Sequence, residues 1–338
     1  MSTSGKNEHT SHLADSYGRV IRDLRISVTD RCNFRCVYCL PEQGFSQKTR
    51  SELLNFDEIE RLAHIFVRLG INKIRITGGE PLLRRGLPGL LARLNAISGL
   101  QDLAMTTNGF LLAELLPDLL SAGLRRFNIS LDSLDGERFQ KMTGRDGLPR
   151  VHTIMTMLEE AGVSPVKFNC VLIRGMNDDE ILSFAEFAQS TGHVVRFIEF
   201  MPLDAGQAWR RELVVPGREV YETIHSRDPL TLLPARSPSE TARRYTFQGG
   251  KGEIGIISSV TEPFCGFCNR IRLTADGKLR TCLFSAVEYD LKGLLRENAS
   301  DEDLLRFIAD SVVHKERGHR INEPDFIRPD RTMSCIGG

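Results

Sequence analysis

The sequence predicts an α/β fold, a partial (βα)6 barrel followed by a C-terminal extension with its own cysteine cluster. Three observations carry that prediction. From about Leu24 to Met201, short β-rich runs alternate with amphipathic helical patterns. The alternation repeats at roughly 30 residues, the length that a βαβ unit needs. After Met201 it stops, and Pro202, Pro216, Pro229, Pro234 and Pro238 punctuate the chain.

Strands are expected at LRISVT (24–29), KIRIT (73–77), DLAMT (102–106), RFNISL (126–131), VKFNCVLI (166–173) and VVRFIEF (194–200). Phe56, Asp57 and Glu58 open the first helix with an acidic turn, and Ile59, Leu62, Ala63, Phe66 and Leu69 recur at helical spacing. Further helices are expected over 87–97, 111–122, 150–161 and 178–190, with Gly70, Gly123, Gly162 and Gly192 where C-caps belong. Right-handed crossovers would make these units a parallel sheet curled like part of a TIM barrel. An open doubly wound sheet has the same periodicity. In either, functional groups gather at the C-terminal ends of the strands. Beyond Met201, RRYTFQ-GGKG-EIGIISSV reads as a β-hairpin, and a helical run is expected from Tyr289 to about His314. Gly250 to Gly255 also fits G-x-G-x-x-G, but Ile256 and Ile257 continue as strand rather than helix, so the hairpin reading wins. The expected division is a disordered tail over 1–14, a barrel over 15–201 and an extension over 202–338.

With 338 residues, 41% hydrophobic and 26% charged, the chain has ordinary globular composition and can bury a large core. Lys plus Arg and Asp plus Glu both number 44, so no net field draws it to nucleic acid or to an anionic membrane. An anion site must therefore be a local cluster of cations. No stretch approaches the roughly 18 uncharged apolar residues of a membrane span. MSTSGKNEHTSH has no apolar signal core, and a cytoplasmic location is expected.

Of eight cysteines, six fall in two tight groups, Cys32-x3-Cys36-x2-Cys39 and Cys265-x2-Cys268-x13-Cys282. In a reducing compartment such groups read as metal ligands. Cys170 and Cys335 stand alone, as a small buried hydrophobe and a tail thiol. Structural zinc wants four protein ligands, and the first group has no fourth Cys or His nearby. Three thiolates on a [4Fe–4S] cube leave one iron open to a small molecule. For the second group the spacing leaves zinc and iron–sulfur evenly matched, with Cys335 available as a fourth zinc ligand.

The first group, with Tyr38 before its last cysteine, resembles the signature of the radical S-adenosylmethionine (SAM) superfamily. Gly78-Gly79-Glu80-Pro81 resembles the loop that holds the SAM amino group there. Within the superfamily, LRISVTDRC (24–32), KIRITGGEP (73–81), TTNG (106–109), FIEFMP (197–202), CGFCNRIRLT (265–274) and the Gly337-Gly338 end are similar to the GTP 3',8-cyclases. The resemblance runs from about Tyr17 to the end. It implies two [4Fe–4S] clusters on the six cysteines, with SAM cleaved at the first to a 5'-deoxyadenosyl radical. That radical takes hydrogen from ribose C3′ of GTP, and C3′ then attacks guanine C8, the first step of molybdopterin synthesis. The second cluster would meet the guanine end of GTP.

A triphosphate without a P-loop needs cations converging from separate strands. Arg25, Lys73, Arg75, Lys167, Arg196, Arg270 and Arg272 are the candidates, each of which alone would be an ordinary surface charge. By resemblance, Arg25, Arg75, Thr106, Lys167, Arg270 and Arg272 match GTP contacts. Tyr38, Gly79, Ser130 and Met201 match SAM contacts, joined by Gly78 and Glu80 of the loop. The glycine tail would position a catalytic arginine, which places Arg270, Arg272, Gly337 and Gly338 in the catalytic set. Asp132 suits either a ribose hydroxyl or a helix N-cap. Leu40 stands where the family commonly has Met. The resemblance further implies an external electron donor, a homodimer, and hand-over of product to the cyclic pyranopterin monophosphate synthase. Two other readings compete: a radical SAM enzyme with an auxiliary cluster acting on a peptide, and a zinc-stapled binding protein.

Overall fold

The six expected strands form side by side. In the computed structural model, which describes residues 12–40, 48–204 and 206–337, they are β1 (Asp23–Ser27), β2 (Lys73–Thr77), β3 (Asp102–Thr107), β4 (Phe127–Ser130), β5 (Lys167–Leu172) and β6 (Val194–Glu199). Helices α1 (Phe56–Arg68), α2 (Leu87–Asn95) and α3 (Leu112–Ser121) join the first four. The fourth connection carries α4 (Gly136–Thr143) and α5 (Leu148–Glu160), and the fifth α6 (Ile181–Thr191). Helix α4 was not foreseen, because its sequence, GERFQKMT, buries only Phe139, Met142 and Thr143. Helix α1 begins as its sequence dictates. Asn55 and Glu58 form a reciprocal capping box, and Ile59, Leu62, Ala63, Ile65 and Phe66 are buried. Every pairing from β1 to β6 is parallel.

The chain beyond Met201 builds into the same sheet. Helix α7 (Gly217–Arg227) and β7 (Leu230–Leu232) precede the hairpin of β8 (Arg243–Phe247) and β9 (Glu253–Ile257), which is antiparallel as expected. Strand β9 then pairs in parallel with β6. At the other edge, β10 (Arg270–Leu273) pairs in parallel with β1 and is followed by the antiparallel strands β11 (Lys278–Arg280) and β12 (Tyr289–Asp290). The extension thus adds one parallel strand to each edge of the six-stranded set, in a sheet ordered β12-β11-β10-β1-β2-β3-β4-β5-β6-β9-β8-β7. The expected single helical run from Tyr289 is instead α8 (Leu291–Arg296) and α9 (Asp301–Val313), with α10 (Met333–Ile336) near the end. Asn298 at φ 60 breaks the run, and Ser300 with Asp303 restarts it through a capping box.

Of the expected tail, residues 1–11 lie outside the described residues. Leu13 is buried, and its amide donates to the Leu69 carbonyl at 3.1 Å.

Strand periodicity sorts the side chains. Leu24, Ile26, Ile74, Ile76, Met105, Ile129, Phe168 and Phe197 lie on the helix side and are buried in one apolar core. The alternate residues (Arg25, Arg75, Thr106, Ser130, Lys167, Arg196 and Arg272) line a cavity on the other side. Residues from β1 through β6, β9 and β10 face that one space, so the sheet wraps around it.

Candidate functional site

The cavity has a volume of about 1020 Å³, and both cysteine triplets line it. Of the twenty-two site residues expected from the sequence, twenty line its wall; Gly337 does not, and Gly338 is not among the described residues.

The first triplet follows β1 in a loop that must pass close to the Gly78-Gly79 turn after β2. The Gly79 amide donates to Thr29 O at 2.8 Å and the Glu80 amide to Arg31 O at 2.7 Å. A Cβ on Gly79 would sit 2.3 Å from Arg31 O, and one on Gly78 2.7 Å from Thr29 O. Glycine is what permits this approach. Glu80 lines the cavity, yet its carboxylate is engaged by the protein. It accepts from Thr107 Oγ1 at 2.7 Å, Asn108 N at 2.7 Å and Leu82 N at 3.0 Å, and burial pushes its pKa up to about 7. Asp132 is not a helix cap; that role falls to Asp135 of α4. Its oxygens accept from Tyr38 Oη at 2.6 Å and Val171 N at 2.9 Å, and burial raises its pKa to about 6.

All eight cysteines are free thiols. Burial pushes Cys32 up to about 11 and Cys39 up to about 12, and raises Cys36 well above its ordinary value; each is raised further by nearby negative groups. In the second triplet burial again acts upward, but at Cys268 the charges of Arg270 and Lys315 outweigh it and hold the thiol down to about 6. Among the described residues, no three His, Cys, Asp or Glu side chains converge as the ligands of one ion. Thiols on a tetrahedral zinc lie about 3.8 Å apart, given a Zn–S bond of about 2.3 Å. Three free thiols spread along a cavity wall fit a larger group that brings its own metal atoms, as an iron–sulfur cube does.

Strand register makes the cation cluster. Arg25 is aligned with Arg75 on one side and Arg272 on the other, so three guanidiniums share one rung across β10, β1 and β2. Burial lowers the pKa of each, and repulsion from neighbouring arginines lowers it further. Nε of Arg25, Arg75 and Arg196 is buried with no hydrogen-bond partner. Arg196 Nη2 donates to Asn128 Oδ1 at 2.8 Å. Lys167 is pushed down to about 8 by burial and by Arg196, Arg126, Arg236 and Arg75. Asp23 and Asp102 offset only part of the charge on Arg25 and Arg75; buried cations so incompletely paired are costly, and their accumulation on one wall suits a polyanion.

The C-terminal segment enters the same region. Arg272 Nη1 donates to the carbonyls of Gly337 and, at 3.4 Å, Ile336. Gly337 has φ 73, and a Cβ there would meet Thr77 Oγ1 at 2.5 Å, so the tail can thread here only as glycine. Ser334 lies against Cys39 and favours its thiolate. Gly338 lies outside the described residues. Sequence reasoning missed Arg19, Asn108, Lys315 and Glu199. Glu199 sits in the FIEFMP run, and its carboxylate accepts from Gly217 N, Val260 N and Thr261 N at 2.7–2.9 Å, tying the extension to β6. Asn108 bonds Asn33 Oδ1 at 2.8 Å beside Cys32.

Comparison with known proteins gives consistent matches. A family model described as radical SAM superfamily matches residues 26–188, and one described as molybdenum cofactor synthesis C matches residues 193–321. The chain is 44% identical to a GTP 3',8-cyclase of Streptomyces coelicolor over 337 residues, covering 99% of each. It is 47% identical to one from Xanthomonas axonopodis pv. citri, covering 85% of this chain and 87% of that one. It is 45% identical to molybdenum cofactor biosynthesis protein 1 of Mus musculus over 92% of this chain and 49% of that one. Among solved structures, Streptococcus suis SuiB bound to S-adenosylmethionine superposes with a TM-score of 0.59 at 13% identity, covering 86% of this chain and 67% of that one. That likeness concerns the fold. No helix among the described residues is long and apolar enough to cross a membrane.

Proposed function

The chain belongs to the GTP 3',8-cyclase family of radical SAM enzymes, and from that premise we propose how its residues divide the conversion of GTP to (8S)-3',8-cyclo-7,8-dihydroguanosine 5'-triphosphate. When bound, SAM and the reduced first cluster supply the 5'-deoxyadenosyl radical that takes hydrogen from ribose C3′, and the protein does the rest by orientation and exclusion.

Cys32, Cys36 and Cys39 hold the first cluster. Gly78 and Gly79 present backbone to the SAM amino group, with Tyr38, Ser130 and Met201 around the rest of the molecule. Glu80 acts indirectly, fixing the loop through Thr107 and Asn108. Arg25, Arg75 and Arg272, with Lys73, Thr106, Lys167 and Arg196, receive the substrate and its triphosphate. Cys265, Cys268 and Cys282 would hold the auxiliary cluster, with Arg270 on the same wall. Gly337 places Arg272 through its carbonyl, and Gly338 completes the tail.

One observation carries this reading: both thiol triplets and an incompletely paired cation row line a single cavity. The test is anaerobic incubation with GTP, SAM and a strong reductant, following 5'-deoxyadenosine and the cyclic nucleotide together. Coupled formation of both is expected. SAM cleavage that GTP does not alter would overturn the assignment. Deleting Gly337 and Gly338 should abolish ring closure while leaving the iron content unchanged.

An external one-electron donor, a homodimer and hand-over to the cyclic pyranopterin monophosphate synthase complete the proposal. The free thiols favour a reducing compartment, the cytoplasm.

A further inference from the structure

Lys315 is 2% exposed and follows α9 in the loop 314–319, which the reaction as described does not use. Its Nζ donates to the Arg270 carbonyl at 2.9 Å and to the Thr281 carbonyl. Arg270 lies two residues after Cys268, and Thr281 immediately precedes Cys282. One ammonium therefore joins the two segments that carry these cysteines. The same loop grips the third. Arg19 Nη1 donates to Cys265 O at 2.8 Å and to Arg317 O at 3.0 Å, and its Nη2 donates to Glu316 O at 2.6 Å. Gly318 packs so closely that a Cβ would lie 3.2 Å from the Cys265 Cβ.

Holding two carbonyls needs only donors, which a neutral amide also has. What distinguishes lysine is charge, and Lys315 has no carboxylate partner among the described residues. A buried ammonium without a counter-ion is costly. Its counter-charge would come from the cysteine thiolates of the segments it joins, one directly after Thr281 and another two residues before Arg270. Glu316 opposes it locally. Its Oε2 accepts from Thr281 Oγ1 at 2.8 Å, which sets a carboxylate one residue from Cys282.

We propose that Lys315 is a positioning residue of the auxiliary site, joining the loops of Cys268 and Cys282 and placing a fixed positive charge that makes the cluster held there easier to reduce. Glu316 trims the same field in the opposite sense. This rests on the assignment of an iron–sulfur cluster to Cys265, Cys268 and Cys282. Cluster potentials respond to nearby charge, hydrogen bonds and exposure, so removing the cation must lower the midpoint and removing the carboxylate must raise it.

The test is a potentiometric titration of the anaerobic holoenzyme followed by electron paramagnetic resonance. The auxiliary signal is identified by its response to GTP, and the first by its response to SAM. Lys315→Met should shift only the auxiliary midpoint, to a value more negative by at least about 59 mV, a tenfold change in the ratio of reduced to oxidised cluster. Lys315→Arg should restore it, and Glu316→Gln should move it positively. Opposite signs are the result a merely structural role cannot give. If Lys315→Met loses the auxiliary cluster while the SAM-responsive signal survives, and Lys315→Arg keeps it, positioning is upheld and Glu316→Gln reports the field. Midpoints unchanged in both Lys315→Met and Glu316→Gln, with iron content intact, would overturn the proposal. A wild-type chain holding about four irons rather than about eight would instead overturn the cluster assignment beneath it.

Discussion

Around Cys32, Cys36 and Cys39 the charged groups that raise the thiols include Glu80 and Asp132, both buried carboxyls; around Cys265, Cys268 and Cys282 they include Arg270 and Lys315, which favour thiolate. Each triplet supplies three sulfurs, and these neighbours act in opposite senses, trimmed by Arg35 at Cys32 and by Glu316 at Cys282. Negative surroundings disfavour an added electron, which suits a cluster that must reduce a sulfonium. Positive surroundings favour one, which suits the role proposed for an auxiliary cluster near the nucleotide. Cysteine spacing sets ligand number, while residues distant in sequence set the field.

The largest test of that contrast removes one ligand from each triplet. Cys36→Ala should abolish 5'-deoxyadenosine formation, a loss of about 10³-fold or more, the scale on which removing a group that carries the chemistry acts. Cys268→Ala should still cleave SAM but make no cyclic nucleotide. Chromatography of both products decides it, and ring closure by Cys268→Ala would erase the distinction between the triplets.

The next variant acts on the cation rung between them. Arg75→Met should weaken GTP binding about 100-fold by calorimetry, as truncating one partner of a buried charge pair does. It should also stabilise the free protein by about 1–2 kcal/mol in urea unfolding, because burial costs this charge more than Asp23 and Asp102 return. Affinity and stability moving in opposite directions identify a binding group rather than a structural one.

Much of this was legible in the sequence. Strand β2 spans Lys73–Thr77, as its alternation predicts, and the cysteines announce themselves by spacing. The rung was only half legible. Arg75, like Lys167, stood out as a charge in a buried-looking strand, but the alignment of Arg25 and Arg75 with Arg272 depends on β10 pairing with β1 across more than two hundred residues, which no local pattern encodes. The same holds for β9 on β6. Lys315 and Arg19 were invisible because a lysine after a helix and an arginine in a turn read as ordinary surface charges. Only burial reveals their work.

Lys167 sharpens the comparison through pH. Its pKa is pushed down to about 8 by burial and then by Arg196, Arg126, Arg236 and Arg75. The ammonium that meets phosphate is thus lost as pH rises through about 8, and GTP affinity should fall by up to about tenfold per pH unit from there toward the ordinary lysine range. The linkage to stability has the other sign. Between about 8 and the ordinary value the unfolded chain binds more protons, so the free protein should gain stability with rising pH in that window. Lys167→Met should flatten both profiles. A wild-type affinity flat between pH 7 and 9 would remove Lys167 from the triphosphate site.

The smallest effect is expected at Leu40, next to Cys39 and 5% exposed, where the resemblance leads us to expect Met. Its amide donates to Cys36 O at 3.1 Å, a bond that any residue but proline retains. Leu and Met have similar volume, and such exchanges in packed sites cost less than about 1.5 kcal/mol. If the first triplet is governed by Glu80, Asp132 and the glycine loop, Leu40→Met should leave the SAM-induced spectroscopic change and the first cluster's midpoint unmoved. The melting temperature should shift by no more than a few degrees. A midpoint displaced by this neutral swap would show that side-chain packing, rather than the buried carboxyls, sets the character of the first site, and the contrast with the auxiliary triplet would then lose its electrostatic basis.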